Sequence, residues 1–437
     1  MPNGATFQNH PTLPIAIVGG GLGGLALAIG LLKHHVNVHI YEAAPAFSQI
    51  GAGVTFGYNS TRALGLIDER LLEGYRKHAT FNEDPEGYNT FMSFRWGMDE
   101  QREGGKMAGD MMFNLDDKWD SEAARSIGVR TRSCIHRARL LEEMVALLPP
   151  DIATFSKSFE SVLEHADGTL ELRFTDGTTA LACAAIGCDG VRSKMRDIIC
   201  GPGADATYVG EYAYRAMVPA AEVEGVLGRE YARNGQLYCG YGSYIVTYPV
   251  EDYAFTNMVA VHHEPITSPY SWKESDWTVP ATSDEFAKHF EGWHGPLKEL
   301  VKNNCQPLKW ALFNIRHSRP YYKGKLSLLG DSAHAATPHL GAGAGMAMED
   351  AYLLANLISA VHSADAIESA FRAYDAVRRP RTQKVVEYSR LAGLACDFML
   401  PEYDDNVEKL RDRFEEWYQW IWHEDLPEEL EAAKKLL

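Results

Sequence analysis

One glycine-rich stretch near the start constrains this chain most: residues 14–32 read PIAIVGGGLGGLALAIGLL. It predicts a short buried strand over Ile15–Val18, then a turn made of glycines, then an apolar helix. Gly19, Gly21 and Gly24 match the spacing G-x-G-x-x-G. In this spacing the first glycine allows a tight turn, the second lets a pyrophosphate approach the backbone, and the third lets the helix pack on the strand.

A second strand follows the helix and leads into an acidic residue. The pattern over residues 37–41 predicts this strand, and Glu42 comes directly after it. A carboxylate at this place accepts hydrogen bonds from ribose hydroxyls, and the N–H groups at the helix N-terminus favour phosphate. The stretch therefore predicts a dinucleotide site, but it does not by itself separate FAD from NAD.

The net charge and the cysteine pattern exclude several function classes. The 437 residues carry a formal net charge of −17, which argues against nucleic acid and anionic membranes as partners. The seven cysteines are scattered with no C-x-x-C pair, which disfavours a disulfide framework and a redox-active disulfide. The first thirteen residues lack the pattern of a signal peptide. We therefore expect a cytoplasmic protein with no membrane anchor.

The histidines give no signal for a metal site. The pairs at residues 34–35 and 262–263 have no carboxylate or cysteine at ligand spacing, so we predict no metal. His334 and His339 lie in one predicted loop. Because a histidine on a loop is more often structural, neither belongs to the predicted catalytic set.

Two further stretches carry features suited to a nucleotide. A glycine cluster over residues 50–54 includes Gly53, and it indicates either another close approach of the backbone to a ligand or a plain turn. A helix predicted over residues 137–148 has Arg137 in its first turn. The helix dipole disfavours a cation there, so this placement favours a nearby anion.

Strand-to-helix turns recur later in the chain. A buried strand predicted over residues 181–187 leads into a turn with Asp189. Another strand, predicted over residues 326–329, leads into a turn with Asp331. The glycines of residues 341–345 then open a long helix, whose N-terminus favours negative charge on a ligand.

The remaining regions have a different pattern. Residues 200–315 are rich in Tyr, Trp, Val and Thr, which predicts a mainly antiparallel sheet and a substrate domain. A helix is predicted over residues 366–397, with an interruption at residues 378–381. Residues 404–434 are helical, acidic and aromatic, and we expect them to cover the outside of the dinucleotide-binding domain.

These patterns predict an α/β fold in which a discontinuous Rossmann-like domain carries an inserted antiparallel sheet domain and a C-terminal helical segment. The predicted segments are residues 14–80, 128–199 and 316–400 for the dinucleotide-binding domain, 81–127 for loops that contribute to the substrate domain, 200–315 for that domain, and 401–437 for the helical segment.

Three motifs stand in an order that resembles one protein family. They are the first glycine motif with Glu42, the pair Asp189-Gly190, and the pair Gly330-Asp331 followed by a glycine-rich helix start. From about residue 14 to 395 the chain resembles the single-component FAD-dependent aromatic hydroxylases, the flavoprotein monooxygenases of the salicylate and p-hydroxybenzoate hydroxylase type. The resemblance implies FAD as cofactor, with NADH or NADPH as a transient electron donor. It also implies O₂ and a small phenolic substrate as partners.

The resemblance also assigns cofactor contacts. It places Glu42 on the ribose, Asp331 on the ribityl chain, and Gly343 and Ala344 near the pyrimidine ring of the flavin. Pro338 matches a proline that lines the flavin in this family. The predicted cofactor-binding residues are Gly19, Gly21, Gly24, Glu42, Gly53, Arg137, Asp189, Asp331, Pro338, Gly343 and Ala344.

Within the sheet region the chain is most similar to fungal members that act on phenols. The similar segments contain Arg215 and Tyr248. The resemblance implies that these two residues are catalytic, with Arg215 favouring the phenolate and Tyr248 donating a hydrogen bond to the same oxygen. It implies hydroxylation through a flavin C4a-hydroperoxide. The expected substrate is a polyketide-derived alkylated phenol of fungal secondary metabolism.

Several alternatives remain open from the sequence. Bacterial salicylate hydroxylases tend to carry Phe where this chain has Tyr248, yet decarboxylative hydroxylation of salicylate to catechol remains an alternative. In an FAD-binding module without monooxygenase activity, Arg215 would form a structural ion pair and Tyr248 would pack in the sheet. A flavin oxidase is a further alternative, and the missing cysteine pair argues against a disulfide reductase. Either a monomer or a homodimer is compatible with the sequence.

Overall fold

The computed structural model describes residues 13–47, 53–83, 90–98, 107–116, 133–265, 270–274, 276–304, 308–361 and 363–437. No helix in this part of the chain has the length and the apolar run needed to cross a membrane. In chain order the strands are β1 Ile15–Val18, β2 Val38–Tyr41, β3 Gly53–Phe56, β4 Thr80–Phe81, β5 Thr90–Trp96, β6 Met111–Asp116, β7 Ser133–His136, β8 Ala153–Thr154, β9 Phe159–Glu164, β10 Leu170–Phe174, β11 Thr179–Ala182, β12 Ala184–Gly187, β13 Thr207–Pro219, β14 Gln236–Gly240, β15 Ser243–Val250, β16 Phe255–His263, β17 Thr278–Pro280, β18 Leu308–Asn314, β19 Tyr322–Lys323 and β20 Leu326–Leu328. The helices are α1 Leu22–Lys33, α2 Tyr58–Ile67, α3 Glu69–His78, α4 Arg137–Ala146, α5 Lys194–Cys200, α6 Ala220–Leu227, α7 Arg229–Arg233, α8 Ser283–His289, α9 Gly295–Asn304, α10 Asp331–His334, α11 Gly343–Ala360, α12 Ile367–Cys396, α13 Val407–Trp422 and α14 Leu426–Lys434, with 3₁₀ turns at Pro338–Leu340 and Ala364–Ala366.

A six-stranded sheet forms the base of the nucleotide-binding region, with the strand order β19-β20-β12-β1-β2-β8. β1 pairs in parallel with β2 and β12, and β12 pairs in parallel with β20. β1 and β12 are buried along their whole length, which explains their unbroken apolar sequence. The strand–helix–strand unit expected at the start of the chain is confirmed.

One predicted strand is divided in the structure. The sequence predicts a single buried strand over residues 181–187, but β11 belongs to a three-stranded antiparallel sheet with β9 and β10, and β12 belongs to the parallel sheet. Leu181 is 48% exposed because β11 lies at the edge of its sheet. The prediction of one strand is therefore wrong, since the chain passes from one sheet to the other at Cys183.

A second large sheet has eight strands in the order β17-β18-β13-β16-β15-β14-β5-β6. Its neighbours pair antiparallel except β14 and β5, which pair in parallel. The predicted α/β fold with a mainly antiparallel second sheet is confirmed. β5 and β6 come from the region in which the sequence indicates mostly loops, and residues 84–89, 99–106 and 117–127 of that region lie outside the described residues.

Helix α12 runs without a break through its proline, so the expected interruption at residues 378–381 is wrong. A proline inside a helix removes a backbone hydrogen bond and destabilises the helix. Here Arg378 and Arg381 reach into the protein and both pair with Glu349 on α11. Side-chain interactions therefore hold α12 in place on both sides of Pro380.

The two C-terminal helices pack in different places. α14 packs on α11 and α12, as expected for a segment that covers the nucleotide-binding region. α13 packs on α2 and α12 of the nucleotide-binding region and also on the eight-stranded sheet, with Phe414 4.7 Å from Phe94 and Tyr418 4.9 Å from Phe91 between ring centroids. The expectation did not include the contact with the sheet, which α13 makes because its aromatic face matches the apolar side of β5 and β6.

Candidate active site

A cavity of about 650 Å³ lies between the carboxyl ends of the parallel strands and the eight-stranded sheet. This edge of a parallel sheet is where ligands bind in open α/β folds. The cavity brings together every residue that the sequence analysis assigned to cofactor or substrate. Those lining residues are Gly19, Gly21, Gly24, Glu42, Gly53, Arg137, Asp189, Arg215, Tyr248, Asp331, Pro338, Gly343 and Ala344.

The first glycine turn is packed too closely for side chains. Gly19 has φ +109°, and a Cβ there would lie 2.3 Å from the carbonyl oxygen of Cys188. A Cβ on Gly24 would lie 2.1 Å from the carbonyl oxygen of Gly19. Glycine at both positions is therefore required for the turn between β1 and α1 and for its contact with β12. This turn opens α1 towards the cavity.

Glu42 keeps acceptor capacity for a ligand. Its carboxylate accepts hydrogen bonds from the backbone N–H of Gly20 at 2.6 Å and from that of Ala44 at 2.8 Å. These bonds fix the carboxylate beside the glycine turn. A carboxylate offers roughly four acceptor positions, so about two remain for ribose hydroxyls.

Asp189 holds the turn that leads into α5. Its carboxylate accepts hydrogen bonds from Ser193 Oγ at 2.5 Å and from the backbone N–H groups of Lys194 at 2.8 Å and Met195 at 3.2 Å. Burial raises the pKa of Asp189, and these hydrogen bonds oppose that rise. Asp189 thus shapes the turn that lines the cavity, and its predicted proximity to a pyrophosphate stays a prediction.

Arg137 places a guanidinium cation at the cavity, and not all of its donor atoms have a hydrogen-bond partner in the described residues. Its buried Nε has no hydrogen-bond partner among the described residues. Burial lowers the pKa of Arg137, the carboxylate of Asp331 raises it, and the guanidinium of Arg215 lowers it. A buried polar atom left unpaired costs free energy, so this arrangement suits an anionic ligand.

The glycine-rich start of α11 faces the same cavity. Gly341 has φ +61° and ends the turn Pro338–Leu340, and Gly343 and Ala344 begin the helix. The backbone N–H groups of a helix start favour negative charge. Four features of the cavity together fit FAD. They are the glycine turn with no room for side chains, the fixed acceptor at Glu42, the buried Nε of Arg137 that has no partner in the described residues, and this helix start.

The opposite wall of the cavity is one face of the eight-stranded sheet. Alternate residues of β15, namely Tyr244, Val246 and Tyr248, line the cavity, together with Asn257 and Val259 of β16. Alternation is expected because successive side chains of a strand point to opposite faces. The wall is therefore apolar in its centre, with polar groups at its ends.

Arg215 is the one predicted cation on this wall. Across four neighbouring strands the register places Arg215 beside Val259, Val259 beside Val246, and Val246 beside Leu237. The guanidinium lies over the ring of Trp310, 4.9 Å from its centroid. Within the described part of the chain the buried Nε of Arg215 has no hydrogen-bond partner. Burial lowers the pKa of Arg215, and Tyr248 partly opposes this.

Tyr248 has a backbone partner in this structure. Its hydroxyl donates to the carbonyl oxygen of Gly53 at 2.9 Å. A Cβ on Gly53 would lie 2.8 Å from the ring of Tyr248, so glycine is required for this contact. A phenol has one O–H to donate, so the predicted donation to a substrate oxygen requires Tyr248 to release Gly53. The catalytic role of Tyr248 stays a prediction.

The cavity also has lining residues that the sequence analysis did not assign. They include Phe91, Tyr244, Asn257, His339 and Tyr418. Tyr244 shares the alternation of β15 with Tyr248, which is the signal that identifies it. Tyr418 belongs to α13 and has no such signal, because only tertiary packing brings that helix to the cavity.

Comparisons with known proteins agree with this geometry. A family model described as an FAD binding domain matches residues 12–389. The 6-methylsalicylate 1-monooxygenase of Aspergillus terreus is 34% identical over 438 residues, which cover 99% of this chain and 93% of that protein. A salicylate hydroxylase of Pseudomonas putida is 32% identical over 446 residues, covering 98% of this chain and 96% of that protein.

A solved structure supports the same relationship. The structure described as a salicylate hydroxylase substrate complex superposes with a TM-score of 0.82 at 31% sequence identity. The match covers 96% of this chain and 98% of that one. The similarity therefore extends over both large sheets and the C-terminal helices.

Proposed function

This chain belongs to the FAD-dependent monooxygenases that share this FAD binding domain, and we propose that it uses NAD(P)H and O₂ to hydroxylate a small alkylated phenol. A bound FAD supplies the transfer of electrons from NAD(P)H and the activation of O₂. Glu42, Arg137, Asp331 and the start of α11 at Gly343 would hold it. The rest of the chemistry depends on how the protein presents the phenol.

The observation that carries the proposal is the guanidinium of Arg215 on the cavity wall, whose buried Nε has no hydrogen-bond partner in the described residues. A guanidinium stays protonated in proteins and binds anionic oxygen strongly. Beside a phenolic oxygen it favours the phenolate and so lowers the pKa of the phenol. A phenolate is the better carbon nucleophile. Arg215 is therefore assigned to bind and activate the substrate.

The surrounding wall sets the size and polarity of the substrate. Leu237, Val246 and Val259 lie in one row with Arg215, and Phe91 also lines the cavity. Apolar side chains in such a row bind an aromatic ring and alkyl substituents and exclude water from the reacting carbon. Asn257 supplies a further polar contact.

A second candidate is decarboxylative hydroxylation of a salicylate. A guanidinium forms strong ion pairs with carboxylates, so a carboxylate beside the phenol would also pair with Arg215. Two relatives are named for salicylates, a 6-methylsalicylate 1-monooxygenase and a salicylate hydroxylase. A methylated salicylate would combine the alkyl group of the first proposal with the carboxylate of the second.

The test is NAD(P)H oxidation by the FAD-loaded protein with three phenols, with aromatic product and hydrogen peroxide quantified together. The phenols are salicylate, 6-methylsalicylate and orsellinaldehyde, a methylated dihydroxybenzaldehyde. Product that matches NAD(P)H consumption with orsellinaldehyde supports the proposal. Coupled turnover of salicylate or 6-methylsalicylate, with loss of the carboxyl group as CO₂, supports the second candidate. Oxidation that no phenol stimulates would contradict both.

A further inference from the structure

Asn257 of β16 is a buried polar residue on the cavity wall. It is 3% exposed, and it lines the cavity on the side of the eight-stranded sheet. Its side-chain amide makes no hydrogen bond to any other residue that the structure describes. A carboxamide carries two N–H donors and a carbonyl acceptor, and buried polar groups of proteins are nearly always paired. Asn257 therefore offers both kinds of hydrogen bond to a molecule in the cavity.

A second buried polar residue in this sheet shows why access to the cavity matters. Thr247 of β15 is 1% exposed, and its hydroxyl also has no hydrogen-bond partner in the described residues. Successive side chains of a strand point to opposite faces, so Thr247 lies on the face away from Val246 and Tyr248 and does not line the cavity. An unpaired polar group alone therefore does not indicate a ligand site, whereas Asn257 combines one with direct access to the cavity.

The strand register places Asn257 diagonally from Arg215. Arg215 of β13 lies beside Val259 of β16, and Met217, two residues further on, lies beside Asn257. Diagonal neighbours on one face of an antiparallel pair have Cα atoms about 7–8 Å apart. The guanidinium of Arg215 lies over Trp310 of β18, on the other side of β13 from Asn257, so it leans away from the amide. The separation between the two polar groups is therefore of the size of a substituted benzene ring.

The residues next to Asn257 restrict what its amide can bind. In its own row across the sheet the neighbours are Met217 and Tyr248, and Val259 lies next along the same face of β16. None of these side chains carries a charge at neutral pH, and the amide itself is neutral. An anionic group would lose its hydration beside a neutral amide, whereas a hydroxyl or carbonyl group forms an ordinary hydrogen bond there. The position therefore favours an uncharged oxygen.

We propose that Asn257 binds a second, uncharged oxygen of the phenolic substrate, on a hydroxyl or carbonyl group, while Arg215 binds the phenolate. Asn257 is thereby a residue that determines substrate specificity, because a phenol with a single oxygen leaves its buried amide unpaired. This inference rests on the proposed function, because it needs a phenol in the cavity.

Two polar contacts also fix the orientation of the ring. A phenol that is held by Arg215 alone can pivot about that contact, whereas a second contact at Asn257 leaves one orientation in the plane of the ring. The pair therefore determines which ring carbon faces the cofactor side of the cavity and receives the oxygen atom. Loss of the amide is expected to give more than one hydroxylated isomer.

The experiment compares phenols that differ in their oxygens: 3-methylphenol has a single hydroxyl, 5-methylresorcinol adds a second hydroxyl, and orsellinaldehyde adds an aldehyde to that. Their dissociation constants are measured from the change in flavin absorbance of the FAD-loaded protein without NAD(P)H. With NAD(P)H present, kcat/KM and the product isomers are measured. The variants are Asn257→Leu, which keeps the approximate size and removes the amide, Asn257→Ala, and the matched control Thr247→Val.

We expect the wild type and Thr247→Val to prefer a phenol with a second oxygen over 3-methylphenol by roughly 10- to 100-fold in dissociation constant and in kcat/KM. In Asn257→Leu and Asn257→Ala this preference falls to about threefold or less. Loss of the preference for 5-methylresorcinol shows that the amide binds a hydroxyl group, and loss for orsellinaldehyde alone shows that it binds the carbonyl group. Because each preference is a ratio within one preparation, a partly unfolded variant does not alter it.

Two results would overturn the inference and leave the proposed function standing. In one, the wild type binds and turns over 3-methylphenol as well as the other two phenols, as expected if an ordered water alone pairs with the amide. In the other, the preference of both Asn257 variants stays within about twofold of that of Thr247→Val. If no phenol stimulates NAD(P)H oxidation by the wild type, the proposed function fails and the inference fails with it.

Discussion

Two groups of arginines in this protein have opposite surroundings. Arg378 and Arg381 on α12 lie in a dense set of carboxylates, whereas Arg137 and Arg215 line the cavity with a buried Nε that has no partner in the described part of the chain. Arg378 and Arg381 are 0% and 5% exposed, and Arg137 and Arg215 are half-buried. The difference teaches that full pairing with carboxylates marks the arginines that hold the fold, whereas a cavity arginine with a donor left unpaired in the described residues is suited to bind a ligand.

The paired group forms a closed network. Arg378 lies 2.8 Å from Glu349, 2.8 Å from Asp350 and 3.2 Å from Glu429. Burial alone would lower the pKa of Arg378, but these carboxylates overcome it and raise that pKa well above its usual range. Burial would likewise raise the pKa of Asp350, but His334 and Arg378 lower it to about 2. Every charge in this network has a partner.

Removal of an arginine from the closed network is expected to give the largest effect. Arg378→Met leaves Glu349 and Asp350 buried with fewer partners, and the free energy of unfolding should fall by about 3–5 kcal/mol. Denaturant unfolding monitored by tryptophan fluorescence measures this change. Arg372→Met, at an exposed arginine of the same helix, is the control and should change stability by less than about 0.5 kcal/mol. An equal change in the free energy of unfolding for Arg378→Met and Arg372→Met would show that the buried ion pairs of Arg378 do not hold the fold.

The half-buried histidine His262 makes stability depend on pH. Burial, then His289 and His263, lower the pKa of His262 to about 3. His262 therefore stays neutral in the folded protein, while in the unfolded chain it takes up a proton below about pH 6.5. Stability is lost as pH falls through that range, by up to about 1.4 kcal/mol per pH unit.

The His262→Asn variant should lose less stability than the wild type as pH falls, because it has no imidazole at this position that takes up a proton in the unfolded chain. Unfolding of both proteins at several pH values between about 7 and 5 measures the difference in slope. His165→Asn serves as a control, because His165 is exposed and pairs with Glu171 at the surface. Parallel curves for wild type and His262→Asn would show that His262 does not contribute as described.

The smallest effect on stability is expected at the open site. Arg215 has no carboxylate partner in the described residues, so Arg215→Met removes a half-buried charge and leaves no buried anion behind. The free energy of unfolding should change by less than about 1 kcal/mol, or rise. Comparison of the free energies of unfolding of Arg215→Met and Arg378→Met measures the difference between the two groups of arginines. A loss as large as that of Arg378→Met would place Arg215 among the arginines that hold the fold.

The cofactor side of the cavity could be predicted from the sequence because its signals are local. Glu42, Asp189 and Asp331 each follow a strand of the parallel sheet, and the carboxyl ends of such strands meet at one edge. At Gly19 and Gly24 the backbone is packed so closely that any side chain would clash. Glycine at these positions is therefore a local signal of the turn. A short motif was therefore enough to place each of these residues.

The rest of the site depends on contacts between distant parts of the chain. Glu211 and His339 are 128 residues apart and meet only when β13 lies beside the Pro338–Leu340 turn. Tyr418 reaches the cavity because α13 docks on β5 and β6, which its sequence does not specify. The continuity of α12 through Pro380 likewise depends on the partners of Arg378 and Arg381, which lie in other segments of the chain. Local patterns carry no information on such pairings.

The most direct test of the central claim is phenol-stimulated NAD(P)H oxidation by wild type and Arg215→Gln, each with its FAD content measured. The account predicts that the variant keeps FAD and loses about 100-fold in kcat/KM, since an unpaired phenolate replaces a charge-assisted contact. Arg192→Gln, at an exposed arginine on the rim of the same cavity, is a reference for nonspecific loss of positive charge. Coupled turnover by Arg215→Gln within about threefold of wild type would contradict the assignment of Arg215 to the phenolate.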